Sequence, residues 1–187
     1  CDDLDFFTYP GAAENDSVSA CMTDIDGDGY GDSTPTNTDI TAGTDCNDGD
    51  NSINPSALET PSDGLDQNCD GAEDCFQDID GDGYGSEVVV TGFNMSCEDL
   101  GEAPLGGDCD DSSNRSYPGA AENDSLTFCM KDADEDGYGD AYVVGSGIYG
   151  GNDCNDDDPQ TYLGAVEIVG DETDQNCDQA EICYADS

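Results

Sequence analysis

The sequence predicts little regular secondary structure: an extended array of tandem loops, held together by disulfides and interrupted by short β-strands. Three observations support this fold class: a long internal repeat, a regular spacing of cysteines, and a composition with 24 glycines and 47 acidic residues in 187 positions. Such a chain is too polar and too highly charged to rely on a large hydrophobic core. We therefore expect cross-links between loops to contribute much of its order.

A long internal repeat organises the chain. The segment "YPGAAENDS" begins at Tyr9 and begins again at Tyr117, and this interval is called the repeat period below. Residues 1–108 are thus predicted to form one repeat unit of two related halves, and residues 109–187 a second, incomplete copy.

The cysteines repeat with the same period and predict a disulfide framework. Five of the 11 cysteines recur one repeat period later, and no CxxC pair typical of zinc or iron–sulfur sites occurs. This usage is typical of an extracellular or cell-surface protein in an oxidising compartment. Connectivity is not fixed by sequence alone, but the repeat suggests the pairs Cys1–Cys21, Cys46–Cys69, Cys75–Cys97, Cys109–Cys129 and Cys154–Cys177, with Cys183 left over.

The net charge of −45 limits the possible partners and activities. With only Arg115 and Lys131 as bases, the chain lacks the cations that nucleic acid binding requires, and no apolar run approaches the ~20 residues of a membrane span. There is no histidine and no GxSxG motif. Every acidic cluster recurs with the repeat, whereas an active site usually occurs once, so we expect no enzyme. Abundant paired carboxylates leave a glycosidase-like site as the alternative.

An acidic motif, D-x-D-x-D-G, occurs three times at equal intervals of half the repeat period. If the chain turns at the glycine, the first, third and fifth side chains converge, and the next residue can add its carbonyl. These hard oxygen donors suit Ca²⁺. Because the twelfth position, glutamate in an EF-hand, is Pro35, Val89 or Val143, further oxygens must come from elsewhere. An acidic surface turn is the alternative. The candidate ligands are Asp24, Asp26, Asp28, Tyr30 and Asp32; Asp78, Asp80, Asp82 and Tyr84; and Asp132, Asp134, Asp136, Tyr138 and Asp140.

A second acidic element surrounds the cysteines of "TDCND", "GDCDD" and "NDCND", and a glutamate follows each cysteine at one constant spacing. The start of the chain has the same spacing, from Cys1 to Glu14. A short cluster of acids with one distant glutamate predicts a separate Ca²⁺ cage, with a solvated acidic turn as the alternative. The candidate ligands are Asp45, Asn47 and Glu59; Asp108, Asp110 and Glu122; Asp153, Asn155, Asp157 and Glu167; and Asp2 and Glu14.

A third element, "DQNCDG", has the pattern D-x-N-x-D-G and recurs once. Its candidate ligands are Asp66, Asn68, Asp70 and Asp74, and in the copy Asp174, Asn176 and Asp178. In the copy Gln179 replaces the glycine, which weakens the prediction there. Together the three elements predict about nine ions.

The order "DxDGDGYG", "GDCDD", "PGAxE" and "DGLDQNCDG" resembles the bacterial and archaeal metal-binding repeats of MopE-type proteins, and is similar to calcium-binding thrombospondin type 3 repeats. The resemblance covers nearly the whole chain and implies secreted or surface proteins with calcium-bound loops and stalk or adhesive roles. The cysteine that usually follows "PGAxE" is absent after Glu59. Copper binding is attached to the family name, but copper prefers imidazole or sulfur, so we expect calcium here.

The two ends of the sequence fall within motifs. Asp186 follows Asp132 by half the repeat period, where a fourth acidic motif would begin. We expect copies of the chain to complete each other's sites head to tail, with Asp2 and Asp186 sharing ions and Cys183 pairing across the junction. The sequence thus predicts a calcium-rigidified structural protein that assembles into an extracellular fibre. The alternatives are a stalk or adhesive segment of a longer secreted protein, and a soluble metal buffer.

Two further predictions concern the connecting segments. The segments "SEVVVTGF" from Ser86 and "DAYVVGSGIYG" from Asp140 predict short strands. Glycosylation sequons occur at Asn15, Asn94, Asn114 and Asn123.

Overall fold

A computed structural model describes residues 1, 4–145 and 147–185. None of these residues is helical, and the strands are two to four residues long. They are β1 (Thr8–Pro10), β2 (Cys21–Thr23), β3 (Asp74–Gln77), β4 (Tyr84–Gly85), β5 (Val89–Thr91), β6 (Glu102–Ala103), β7 (Leu105–Gly106), β8 (Ser116–Pro118) and β9 (Cys129–Lys131). The predicted fold class, disulfide-stapled loops with little regular secondary structure, is confirmed.

The repeat produces the same hairpin twice. β1 pairs antiparallel with β2, and β8 pairs antiparallel with β9 in the corresponding register. The chain leaves β1 at Gly11, whose φ of 80° belongs to the left-handed region that favours glycine. A Cβ at Gly11 would also lie 2.9 Å from the carbonyl oxygen of Val18. Gly119 occupies the same place after β8, with a φ of 89°.

The remaining strands form two small sheets, one in the order β5-β3-β6 and one in which β4 pairs parallel with β7. β5 confirms the strand predicted in "SEVVVTGF". The strand predicted from Asp140 is wrong: the described part of 140–150 contains only isolated bridges, which pair Asp140 with Asp153 and Tyr149 with Met130. The amide of Tyr142 donates to the carboxylate of Asp140 at 2.7 Å, which turns the chain away from an extended course.

The chain packs as two compact units. One comprises Cys1–Cys75 and Thr91–Cys97, and the other Phe76–Val90 and Glu98–Ser187. The boundaries of these units differ from those of the sequence repeats, 1–108 and 109–187. The interpretation of the two repeats as separate domains stays a prediction. The apolar core of each unit is small, and part of it corresponds in the two copies: Ala12, Ala13 and Met22 in one, and Ala120, Ala121 and Met130 in the other.

The disulfides confirm the pairing suggested by the repeat. The structure contains Cys1–Cys21, Cys46–Cys69, Cys75–Cys97, Cys109–Cys129 and Cys154–Cys177. Cys183 is exposed and unpaired. Because large apolar residues such as Leu4, Leu100 and Val144 are almost fully exposed, covalent cross-links contribute order that the core does not supply. A search of the described residues for a helix able to cross a membrane finds none.

Candidate metal centres

The D-x-D-x-D-G motifs form three loops of the same conformation, named here loop A (residues 24–29), loop B (residues 78–83) and loop C (residues 132–137). In loop A the two oxygens of Asp24 accept the amides of Gly27 and Gly29, at 2.7 and 3.1 Å. Asp26 and Asp28 each use Oδ1 to accept the amide two residues later. This chain of turns leaves Oδ2 of Asp26 and of Asp28 buried without a hydrogen-bond partner.

Loops B and C repeat this arrangement. Oδ2 of the first aspartate accepts the glycine amide at the turn, at 3.1 Å from Gly83 to Asp78 and 2.9 Å from Gly137 to Asp132. Loop C has Glu135 where loop A has Gly27, and Glu135 adopts a φ of 66° to keep the same turn. Oxygens without a partner again remain on the third and fifth residues: Asp80, Asp82, Asp134 and Asp136.

The aspartate before each "C-x-D" segment lies against one of these loops. Asp45 is fully buried, and its Oδ1 accepts the amide of Asn47 at 2.8 Å while Oδ2 has no partner. Burial, followed by the nearby charges of Asp28 and Asp26 in loop A, raises the pKa of Asp45 to about 6, although the hydrogen bond from the Asn47 amide lowers it. The Cys46 segment and loop A therefore form one acidic centre.

The same association occurs at the other two loops. Asp108 is buried beside loop B, and its pKa is raised by burial and by the charge of Asp80. Asp153 is fully buried beside loop C, where burial, followed by the charges of Asp134 and Asp136, raises its pKa to about 7. The cages predicted around the cysteines are therefore not separate from the loops; the structure brings the two elements together.

A second aspartate of the cysteine segments was missed by the sequence reasoning. Asp48 accepts the amide of Ile25 at 2.9 Å, Asp111 that of Ile79 at 2.6 Å, and Asp156 that of Ala133 at 2.8 Å. These acids stand two residues after the cysteine, and their recurrence in every copy was the signal that could have identified them.

Four further candidates of the cysteine segments lie farther from the loops in their bonding. Asn47 and Asn155 are exposed, as is Asp157. Asp110 uses Oδ1 to accept the hydroxyl of Ser112 at 2.6 Å. These four candidates are not among the groups that hydrogen-bond to a loop.

The distant glutamates are divided between two kinds of loop. Cδ of Glu14 lies 3.5 Å from the position that a Cβ on Gly29 would occupy, and Cδ of Glu122 lies 3.3 Å from the same position on Gly137. Glu14 therefore accompanies loop A and Glu122 loop C. Asp2, the partner predicted for Glu14, lies outside the described residues.

Glu59 and Glu167 accompany the D-x-N-x-D-G loops, residues 66–71 and 174–179. Oε1 of Glu59 accepts the amide of Asn68 at 2.7 Å, and Oε1 of Glu167 accepts that of Asn176 at 3.0 Å. Oε2 of each glutamate is buried without a partner. In each of these glutamates, as in the third and fifth aspartates of loops A, B and C, one carboxylate oxygen accepts a hydrogen bond and the other has no partner.

Both D-x-N-x-D-G loops close in the same way despite Gln179. The amide of Gly71 donates to Asp66 at 2.9 Å, and the amide of Gln179 donates to Asp174 at 2.6 Å. Gln179 takes a φ of 66° to do so. The third and fifth residues each accept the amide of the residue two positions later: Asn68, Asp70, Asn176 and Asp178.

The remaining candidates lie at the margins of these centres. Oδ1 of Asp32 accepts the amide of Thr34 at 2.7 Å, and Oδ1 of Asp74, in β3, accepts the hydroxyl of Thr91 at 2.9 Å. Asp2 and Asp186 lie outside the described residues. The tyrosine side chains contact neighbouring segments: Tyr84 stacks on Tyr117, Tyr138 stacks on Tyr162, and the hydroxyl of Tyr30 hydrogen-bonds that of Ser56.

The carboxylate oxygens without hydrogen-bond partners indicate that these centres can bind a cation. Asp16 shows that the fold can satisfy a carboxylate completely: Oδ2 accepts the amides of Gly31 and Thr44, and Oδ1 accepts the Thr44 hydroxyl at 2.6 Å. In contrast, Oδ2 of Asp45, Asp108 and Asp153 is buried with no partner. Buried anionic oxygens are costly unless a cation or proton neutralises them. The donor set of carboxylates, amides and carbonyls fits a hard divalent cation.

Two of the glycosylation candidates hydrogen-bond to the acidic loops. Nδ2 of Asn15 donates to the carbonyl of Asp28, and Nδ2 of Asn123 donates to that of Asp136, both at 3.2 Å. Both side-chain amides also lie against the loop glycines, Gly29 and Gly137. Asn15 and Asn123 are both exposed, and glycosylation at Asn15, Asn94, Asn114 and Asn123 stays a prediction.

A family model matches four segments of the chain, residues 1–18, 45–74, 108–136 and 153–181, which together make up more than half of its length. The family is described as a "Putative metal-binding motif", and its name refers to copper binding and to MopE. The matched segments contain the cysteine segments, both D-x-N-x-D-G loops and most of loop C. No curated protein and no solved structure matches the chain.

Proposed function

Since the chain belongs to the MopE-type metal-binding family, we propose that it is a calcium-stabilised structural repeat protein of the extracellular space. The observation that carries the proposal is the repeated set of buried carboxylate oxygens without partners, above all Oδ2 of Asp45, Asp108 and Asp153. Each of them lies beside a loop whose own aspartates also retain unpartnered oxygens. Calcium, with its six to eight oxygen ligands, suits such a donor set.

Calcium is favoured over copper by the chemistry of the donors. Copper sites in proteins use imidazole or sulfur, and this chain has no histidine. Ten of its cysteines are in disulfides, and Met22 and Met130 are buried in β2 and β9. The exposed Cys183 is a single thiol.

The proposed role is non-enzymatic. The acidic centres occur in corresponding forms at loops A, B and C, as expected for elements that hold a fold together. Five disulfides support an oxidising, extracellular location. Head-to-tail assembly into a fibre is supported by the exposed thiol of Cys183, which is available for a bond to another chain. A calcium-stiffened stalk of a longer secreted protein is the alternative.

Metal content tests the proposal directly. Protein purified without added metal is expected to contain several calcium ions per chain and only traces of copper by elemental analysis. The variant Asp45→Asn should lose about one calcium ion, because it removes the negative charge of a buried ligand. The exposed Asp39→Asn is the matched control and should retain them all. Stoichiometric copper, or equal calcium content in both variants, would contradict the proposal.

Assembly requires a separate measurement. Sedimentation in excess calcium is expected to show polymers for the native chain and smaller species for Cys183→Ser. A discrete monomer at every calcium concentration would favour the stalk.

A further inference from the structure

Glu73 is a buried acid that belongs to none of the acidic motifs. Its side chain is 1% exposed, and neither carboxylate oxygen has a hydrogen-bond partner. The backbone is fixed on both sides of it: its amide donates to the carbonyl of Asn94 at 3.0 Å, and its carbonyl accepts the amide of Gly92 at 2.7 Å. Cys75, two residues later, is bonded to Cys97. The carboxylate is therefore held inside the unit and cannot turn to solvent.

The neighbours of Glu73 are also acidic. Burial is the largest cause that raises its pKa, and the charges of Asp63 and Glu59 add to it. The nearby backbone amides of Asp63 and Ser62 oppose this effect without hydrogen-bonding the carboxylate, and that of Ser62 donates instead to the carbonyl of Asp74 at 2.9 Å. Asp63 is already engaged, since its oxygens accept the amide of Leu65 at 2.9 Å and the side-chain amide of Gln67 at 2.8 Å. Glu59 retains a buried oxygen, Oε2, without a partner.

The protein supplies no basic side chain to neutralise this pair. The only bases, Arg115 and Lys131, belong to the other compact unit, and the chain has no histidine. A buried carboxylate without a hydrogen bond or counter-charge is strongly disfavoured, so Glu73 must hold either a proton or a cation from solution.

The second copy of the repeat has a related arrangement, in which the glutamate is half-buried and only one of its oxygens lacks a partner. Glu181 follows Glu73 by one repeat period, and its Oε2 is likewise buried without a partner, while Oε1 accepts the amide of Gly170 at 2.7 Å. Asp171 accepts the side-chain amide of Gln175 at 2.8 Å, as Asp63 does from Gln67. Oε2 of Glu167 remains unpartnered, as in Glu59. A buried oxygen without a partner therefore recurs on the corresponding glutamates of both units.

We propose that Glu73 binds a divalent cation together with Glu59, and that Glu181 and Glu167 form the corresponding site in the second copy. The oxygen-only ligands select calcium among common cations. The proposal rests on the proposed calcium function and adds a ligand that lies outside every D-x-D-x-D-G, D-x-N-x-D-G and cysteine-linked motif of the sequence. Calcium bound there would join the segment before β3 to residues 59–63.

The variant Glu73→Gln tests this proposal, with the exposed Glu98→Gln as a control for the same change of charge. Calcium is removed with a chelating resin and then titrated back, and bound ions are counted by native mass spectrometry. Glu73→Gln is expected to bind about one ion fewer, or to bind one ion at least ~10-fold more weakly, whereas Glu98→Gln binds as the native chain does. Unchanged number and affinity would mean that Glu73 carries a proton, and would overturn the proposal.

Glu181→Gln decides the matter if Glu73→Gln does not fold. It should also lose or weaken one ion, and native binding by this variant would overturn the proposal in the same way. If Asp45→Asn loses calcium while both glutamine variants keep it, this inference fails and the proposed calcium function stands. If none of them loses calcium, both fail.

Discussion

Lys131 donates a hydrogen bond from its ammonium group to Oδ2 of Asp156. In the first copy Thr23 replaces Lys131, and the residue corresponding to Asp156 is Asp48, whose Oδ2 is buried without a partner. Lys131 Nζ also lies 3.7 Å from Asp140. The second copy therefore places a positive group of its own where the first copy has an unpartnered oxygen.

Replacement of Lys131 by threonine tests how that positive charge is used. Without it, Asp156 has a buried unpaired oxygen, so unfolding in a chelator should become easier by ~1–2 kcal/mol. In excess calcium the loss should be smaller, because an ion can replace the ammonium group. Thermal unfolding with and without calcium measures both. The control is Arg115→Gln, which breaks an ion pair with the exposed Glu135 and should cost less than ~0.5 kcal/mol. Equal losses with and without calcium would contradict the interpretation.

Chelation should loosen the loops while the disulfides keep the chain closed. A thousandfold excess of calcium over its Kd stabilises a fold by ~4 kcal/mol for each independent site. We therefore expect amide exchange within loops A, B and C to accelerate by orders of magnitude in a chelator. Protection that remains unchanged after complete removal of calcium would refute a structural role for the ion.

The calcium-free protein should become less stable as the pH rises. The pKa values of Asp45 and Asp153 are raised to about 6 and about 7 from a normal value of 3.8, mainly by burial. The folded state therefore binds protons more tightly than the unfolded state. The resulting stability is fully present below the unfolded pKa and is lost as the pH rises through 6 to 7.

Thermal unfolding in a chelator at pH 5, 6, 7 and 8 checks this prediction. The melting temperature should fall across the series. With saturating calcium the direction should reverse, because protons compete with the ion for the same oxygens. A melting temperature that rises with pH in the chelator would show that these carboxylates are not buried without partners.

Gly43 should tolerate no side chain. A Cβ there would lie 2.2 Å from the carbonyl oxygen of Gly31, in the segment that places Asp45 beside loop A. Gly43→Ala must therefore displace the backbone, and we expect a loss of ~1–3 kcal/mol and weaker calcium binding. Gly49→Ala is the matched control, since its nearest neighbour, Oδ1 of Asn47, would lie 3.8 Å away. Equal stability of the two variants would contradict the close approach.

Local patterns made much of the fold predictable. The disulfide pairing followed from the repeat, and the turns of loops A, B and C followed from the spacing of aspartates before a glycine. The position of Asp45 was not predictable, because it depends on pairing with Asp32 across the whole intervening segment 33–44. Glu73 was missed for a similar reason: its burial depends on residues 92–94 and on the Cys75–Cys97 bond. Neither contact corresponds to a spacing pattern in the sequence.

The five disulfides also determine how the chain would respond to tension. Each closes a loop whose two cysteines are 20 to 23 residues apart. The residues inside a covalent loop of that size cannot be extended by a pulling force, which shortens the stretched chain by ~70 Å for each disulfide. Residues 22–45 and 130–153 lie between disulfides, and they contain loops A and C. Calcium held by those loops would determine the force at which residues 22–45 and 130–153 unfold. The disulfides would then limit how far the unfolded chain can extend.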